Sequence, residues 1–148
     1  MNDQKWENTP VFSFKGKKYN CKLLDVYDGD TVTICFYLEG FNYIRLNIRL
    51  LGIDTPELKG ETKKLAIETR NYLIKLLTGI EIIGNKTRKE IREDIFKSDN
   101  NTLDVIFDDF DKYGRPLAIL EKNNINMNEK LVEEGYAKRY NGGTKDKW

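Results

Sequence analysis

The chain has 148 residues, the size of one domain, and its 39% hydrophobic and 33% charged content describes a globular protein with a heavily charged exterior. It contains no histidine, which excludes Ser-His-Asp and Cys-His nucleophile pairs, histidine-based nucleases and imidazole zinc sites. With 25 basic and 24 acidic side chains the net charge is +1, so any polyanion site must be a local concentration of charge.

Met1 to Pro10 is polar and lacks the apolar core of a signal peptide, and residues 1–17 read as an N-terminal extension. Without an export signal the expected compartment is intracellular and reducing. Cys21 and Cys35 are then expected as free thiols, although a cross-strand bridge is sterically conceivable. Residues 18–27 and 31–38 are rich in β-branched and aromatic side chains and form a hairpin about Asp28-Gly29-Asp30. In residues 42–51, Ile44, Leu46, Ile48 and Leu50 alternate with polar residues, the pattern of a half-buried strand.

Residues 61–78 read as a helix, with Leu65, Thr69, Tyr72, Leu73 and Leu76 on one face and Gly79 as the left-handed cap. The most apolar stretch, Tyr72 to Ile83, is interrupted by Lys75 and Glu81, so no membrane span is expected. Ile80–Ile83 could begin another strand. Residues 80–101 read as an inserted loop; within it Asn85 to Asn101, a dense run of both charge signs with Ile91, Ile95 and Phe96 as its only apolar anchors, reads as a short surface helix, with disorder as the alternative. Leu103–Phe107 and Pro116–Glu121 are two further strands about the Asp111–Arg115 turn. Asn126 and Glu129 open a short helix that Gly135 closes. The result is an α+β chain dominated by β, a five-stranded OB-fold barrel with flanking helices over residues 18–148.

Three clusters could carry chemistry: Asp28-Gly29-Asp30-Thr31, then Arg49 through Glu57, then Asp111-Lys112-Tyr113-Gly114-Arg115. Each alone reads as a turn, and Asp54 with Glu57 reads as a capping pair. That alternative leaves Arg49 unexplained, since its charge sits within a strand. Together the clusters put acidic oxygens, two guanidiniums, a lysine and a tyrosine at strand ends, where sites are usually built. Two carboxylates, a carbonyl and waters would satisfy a hard cation such as Ca²⁺, and the planar fork of arginine matches phosphate oxygens. These are the parts for metal-assisted phosphodiester hydrolysis without histidine.

DGDT, RLLGIDTPE and DKYGR, in that order, resemble the signature of the staphylococcal (micrococcal) nuclease family, the thermonucleases, from about Tyr19 to Tyr140. The family fold is an OB barrel with flanking helices. The resemblance implies that Asp30 and Asp54 are Ca²⁺ carboxylates, with the backbone carbonyl of Thr55 as a third ligand. It implies that Glu57 is the general base, and that Arg49 and Arg115 grip the scissile phosphate. Lys112 and Tyr113 would contact the adjacent phosphate, Tyr140 would stack a base, and Asp28 would orient the metal site. The implied activity is cleavage of DNA and RNA by a monomer, single strands preferred, leaving 3′-phosphate and 5′-hydroxyl ends.

A competing reading is a catalytically silent nucleic-acid- or protein-binding module of the same fold. Such modules typically lose the acidic and arginine positions, and all five are present here. A third is a single-strand binder using Tyr37, Phe41 and Tyr43. The sequence departs from the family in the longer 80–101 segment and in lacking the long C-terminal helix of its best-known member. Residues 141–148 would have to pack in place of that helix, or the barrel would close differently.

Overall fold

Along β2 (Thr31–Leu38), Val32, Ile34 and Phe36 turn inward between outward-facing Thr31, Thr33 and Cys35, as the period of a strand requires. The computed structural model describes residues 1–148. In it β2 pairs antiparallel with β1 (Lys18–Asp28) on one side and β3 (Asn42–Leu50) on the other. β5 (Thr102–Phe110) follows β1, and β6 (Pro116–Lys122) follows β5; they are preceded in the chain by the two-residue strand β4 (Ile53–Asp54) and followed by another, β7 (Ile125–Asn126), which pairs with β6. A parallel pairing of β3 with β6, Arg49 opposite Leu117 and Leu50 opposite Ala118, closes a mixed five-stranded barrel. The closure is short, two residue pairs at the end of β3.

Three helices flank the barrel: α1 (Lys63–Thr78), α2 (Arg88–Lys97) and α3 (Met127–Glu133). A 3-10 turn at Gly60–Thr62 leads into α1, and Gly79 ends it at φ 77° with its N–H on the Lys75 carbonyl. On α3, Asn128 stitches the barrel seam. Its amide donates to the carbonyls of Leu51 (2.9 Å) and Ala118 (3.0 Å) and accepts the N–H of Leu120 (3.1 Å). A buried amide with its main partners satisfied in this way fixes the register of the closing strands.

The structure corrects several local expectations. Of the expected face of α1, Thr69 and Leu73 are buried and Tyr72 and Leu76 pack half-buried against the core, while Leu65 lies on the rim; Ala66, Arg70, Ile74, Leu77 and Thr78 complete the buried face, and a cation within the stripe disguised it. Ile80–Ile83 forms no strand. Ile80 and Ile82 instead pack half-buried against the core. The helix in the 80–101 segment is α2, capped by a reciprocal Thr87–Glu90 box. It is not a free surface element: Ile91 and Ile95 are fully buried in the core. Burying two such side chains contributes about 3–6 kcal/mol, far more than a dispensable loop supplies.

Cys21 and Cys35 are free thiols. The residue opposite Cys35 is Lys22, so the one-residue offset sends the two sulfurs to opposite faces of the sheet. Burial pushes the Cys21 thiol up to about 12, which keeps it protonated and inert. Within residues 1–17, Phe14 is buried against Phe36 and Phe107, so barrel packing begins before β1. No helix is long and apolar enough to cross a membrane.

Candidate functional site

The β1–β2 turn is built for close approach. A Cβ on Gly29 would lie 2.4 Å from the Thr69 methyl and 2.9 Å from that of Thr55, so only glycine fits between α1 and the loop after β4. That fit seats Asp30 in the interior. Its carboxylate accepts the Thr55 N–H at 3.2 Å and the Thr31 hydroxyl at 3.2 Å. Asp28 supports the turn from behind by accepting the Asp30 N–H at 3.1 Å. Burial, then the charge of Asp30, push the Asp28 carboxyl up to about 7.

Arg49, at the end of β3, enters the same space. Its Nη1 lies 3.1 Å from Asp30 Oδ2 and its Nη2 3.6 Å from Asp54 Oδ1, all three side chains being at most 10% exposed. Asp54 is placed by β4, which pairs with β8 (Lys138–Arg139): Asp54 lies opposite Lys138 and Ile53 opposite Arg139. The capping alternative for Asp54 therefore does not hold; its carboxylate faces Arg49 rather than a helix end. The Arg49 contacts neutralise charge without hydrogen-bond geometry. Five buried side-chain polar atoms lack hydrogen-bond partners, and four of them sit here: both Nη atoms of Arg49, Asp54 Oδ1 and Thr55 Oγ1.

Beside this cluster lies a pocket of about 530 Å³ lined by Arg49, Lys112, Tyr113, Arg115, Tyr140 and Lys145, among others. The Asp111–Arg115 turn and the β4–β8 ribbon bring these together, the Tyr140 N–H continuing the ribbon onto the Gly52 carbonyl at 2.8 Å. Arg115 is aimed by Asp111, which accepts its Nε–H at 2.9 Å. The Tyr140 ring lies 5.8 Å from the Arg49 guanidinium. Arg49, Arg115, Lys112, Tyr113 and Tyr140 thus share one pocket; Asp30 and Asp54 do not line it and join it through their contacts with Arg49, and Thr55 through its N–H on Asp30.

Glu57 is not among them. It is exposed on the loop after Asp54, 3.3 Å from Lys59 Nζ, and does not line the pocket. Nowhere do three or more cysteine or acidic side chains gather as a metal cluster; Asp30 and Asp54 meet as a pair about Arg49. Two further contacts to Asp54 come from the C-terminal segment: Lys145 Nζ at 3.1 Å from Oδ1, and the Trp148 indole N–H on Oδ2 at 3.4 Å. Sequence reasoning missed Lys145. No periodicity marks residues 141–148, and the contact spans some ninety residues of chain; only the isolated Trp148 hinted that this segment is tied down.

A family model described as staphylococcal nuclease homologue matches residues 47–147. The chain belongs to that family. The matched span contains Arg49, Asp54, Thr55, Glu57, Lys112, Tyr113, Arg115 and Tyr140, while Asp28 and Asp30 precede it. The closed mixed barrel with three flanking helices is consistent with the OB-like fold of staphylococcal nuclease homologues. An uncharacterized protein of Methanocaldococcus jannaschii is 38% identical over 152 residues, covering 91% of this chain and 66% of its own length. An uncharacterized protein of Bacillus anthracis is 29% identical over 120 residues, covering 78% of this chain and 44% of its own. The chain therefore spans about two thirds of one of these relatives and less than half of the other.

Proposed function

We propose that this nuclease-family chain is a Ca²⁺-dependent phosphodiesterase that hydrolyses DNA and RNA, prefers single strands, and leaves 3′-phosphate and 5′-hydroxyl ends. The observation that carries the proposal is a set of four buried polar atoms without hydrogen bonds, gathered about Arg49 on the wall of an arginine-lined pocket. Such atoms are rare, and here guanidinium donors and carboxylate and hydroxyl oxygens sit side by side, the charged ones in ion pairs whose hydrogen bonds are unmade. An anion would satisfy the first set and a cation the second. A phosphate with a hard cation answers both.

The donor set fits such a cation. Asp30 and Asp54 supply ionisable oxygens, the Thr55 carbonyl a third, and Ca²⁺ takes the remainder from water and substrate. A cation held there would supply charge stabilisation at the phosphoryl oxygen. Arg49 and Arg115 would hold the non-bridging oxygens of the scissile phosphate from two directions, stabilising the charge that develops on them. Glu57 would accept the proton of the attacking water, moving inward from its exposed position. The water oxygen bonds phosphorus as the bond to O5′ breaks, so the phosphate stays on the 3′ side. Lys112 faces the neighbouring phosphate, and exposed Tyr113 with Tyr140 offers ring faces to unpaired bases, which a duplex would have to unstack to use.

The test is cleavage of heat-denatured DNA with Ca²⁺ and with excess EGTA, followed by end analysis. Calcium-dependent cleavage to 3′-phosphate ends is expected, and Glu57→Gln should lower the rate by about 10²-fold, at the low end for a general base. A folded protein inert with every divalent ion would overturn the proposal and favour a binding module. Lys145→Ala is expected to tighten Ca²⁺ by up to about fivefold in calorimetric titration, because a half-exposed ammonium competing for Asp54 is worth up to ~1 kcal/mol. Unchanged affinity would show that Asp54 and the cation do not meet.

A further inference from the structure

A second depression, of about 1100 Å³, opens on the other side of the Asp30 hairpin. Its floor is the outer face of β2 and β3 at Thr31, Thr33 and Asn47, and its walls are the start of α1 and the chain from Gly84 into α2. Six cations line it, Arg45, Lys63, Arg70, Lys86, Arg88 and Arg92, against a single acid, Asp25. In a chain of net charge +1 this is the local concentration that polyanion binding requires.

Three of these cations hold the wall together. Arg88 donates to the carbonyls of Val26 and Tyr27 at 3.1 Å each and to Asp25 Oδ2 at 2.5 Å. Arg92 lies 3.4 Å from the same carboxylate, and Lys86 pairs with Asp94 at 2.5 Å. Arg45, Lys63 and Arg70 have no acidic partner within ion-pair distance. Arg70 is the most informative of the three, being only 7% exposed. Its Nε and Nη2 share the Asn71 side-chain oxygen, and its Nη1 makes no hydrogen bond within the protein. The acid whose charge reaches it, Asp25, is already paired with Arg88 and Arg92, so the guanidinium keeps a donor for an incoming anion.

The groove also begins where the proposed cleavage site ends. Thr31 lines it and donates to Asp30 Oδ1, Leu58 lines it one residue after Glu57, and Arg49, opposite Thr31 in the β2–β3 register, lines the other pocket. Tyr27, half exposed under the Arg88 guanidinium at 4.8 Å, adds an aromatic face.

We propose that this groove binds the phosphodiester backbone of the nucleic-acid strand to one side of the scissile bond, which makes α2 and the chain leading into it a strand-binding element. The proposal rests on the phosphodiesterase reading for the identity of its ligand. The groove follows the strand by charge and leaves base identity unread.

Arg45→Gln/Lys63→Gln removes two exposed cations without an acidic partner; Lys5→Gln/Lys17→Gln, away from both pockets, is the control. Binding of dT12 and dT3 is measured by fluorescence anisotropy in EGTA at several salt concentrations. For dT12 the groove variant should lose about 1.4 from the slope of log K against log[salt] and weaken roughly tenfold at 0.1 M salt, since each single-strand phosphate contact carries about 0.7 of slope. The loss should be smaller for dT3, and the control should bind like the native protein. Equal slopes for native and groove variant overturn the groove, and cleavage by the native protein would leave the phosphodiesterase reading standing. Groove-dependent binding by a protein that never cleaves would leave the groove standing and remove the catalytic reading. A native protein that neither binds dT12 nor cleaves would overturn both.

Discussion

Arg49→Gln is expected to lose both cleavage and stability, and Ca²⁺ should return only the second. Arg49 bridges two carboxylates that are themselves buried, at 3.1 Å from Asp30 and 3.6 Å from Asp54. Removing it leaves two like charges in a space with little solvent, and breaking such a buried arrangement costs about 3–5 kcal/mol. For a chain of this size that corresponds to a fall in Tm of roughly 10 °C or more in EGTA. A divalent cation that binds the folded state between those carboxylates stabilises it by mass action, about 2.7 kcal/mol at a hundredfold excess over Kd. The rise in Tm on adding Ca²⁺ should therefore be larger in the variant than in the native protein, where Arg49 and the cation share the same oxygens. Cleavage should stay down by 10²–10³-fold, the usual cost of one donor to a developing charge. Thermal scans with and without Ca²⁺, run beside the cleavage assay, separate the two effects. An unchanged Tm in EGTA would refute the structural role, and a variant Tm indifferent to Ca²⁺ would refute Asp30 and Asp54 as its ligands.

Much of the barrel is legible in the sequence because the period of a strand is strict. Val32, Ile34 and Phe36 alternate with Thr31, Thr33 and Cys35, and one slipped residue would turn the whole set outward. Gly79 marks the end of α1 for an equally local reason, since its φ of 77° suits a residue without Cβ. Arg70 is different: a cation in an apolar stripe reads as solvent-facing, yet it is buried on the face of α1 that packs on the barrel. Ile91 and Ile95 have the spacing of a buried helix face, yet the charge around them hid that face. In the site, the turn chemistry of Asp28–Thr31 and Asp111–Arg115 pointed to its loops. It could not show which loops meet. That depends on the parallel β3–β6 closure and the β4–β8 ribbon, both pairings of residues far apart in sequence. Glu57 shows the opposite limit: its motif was clear, and its side chain nevertheless lies outside the pocket, paired with Lys59.

Arg115→Lys should cost about as much cleavage as the loss of Arg49, with little loss of stability. The reason lies in Asp111. Its Oδ1 accepts the N–H groups of Tyr113 and Arg115, each at 2.9 Å, while its Oδ2 accepts the Arg115 Nε–H at 2.9 Å. Burial would raise the Asp111 carboxyl, but those N–H groups and the guanidinium outweigh it and hold it below its ordinary value. It therefore stays a charged acceptor throughout the neutral range. With Nε occupied, the two Nη groups carry the donors left for substrate, and they lie on the pocket already aimed. A lysine keeps the charge and loses the fork, so two converging hydrogen bonds to a phosphate become one mobile contact. Asp111→Ala tests the aiming itself, as a positioning change that leaves Arg115 in place. Its kcat should fall by about tenfold, because a side chain freed from its rest loses the orientation that converts binding into rate. Asp111→Asn keeps an oxygen for the turn N–H groups and should recover part of that loss. Steady-state kinetics on a short single strand distinguish these outcomes. If Arg115→Lys cleaves at the native rate, the phosphate is not held by a guanidinium fork. If Asp111→Asn is no better than Asp111→Ala, Asp111 acts through its charge on Arg115 rather than through the turn.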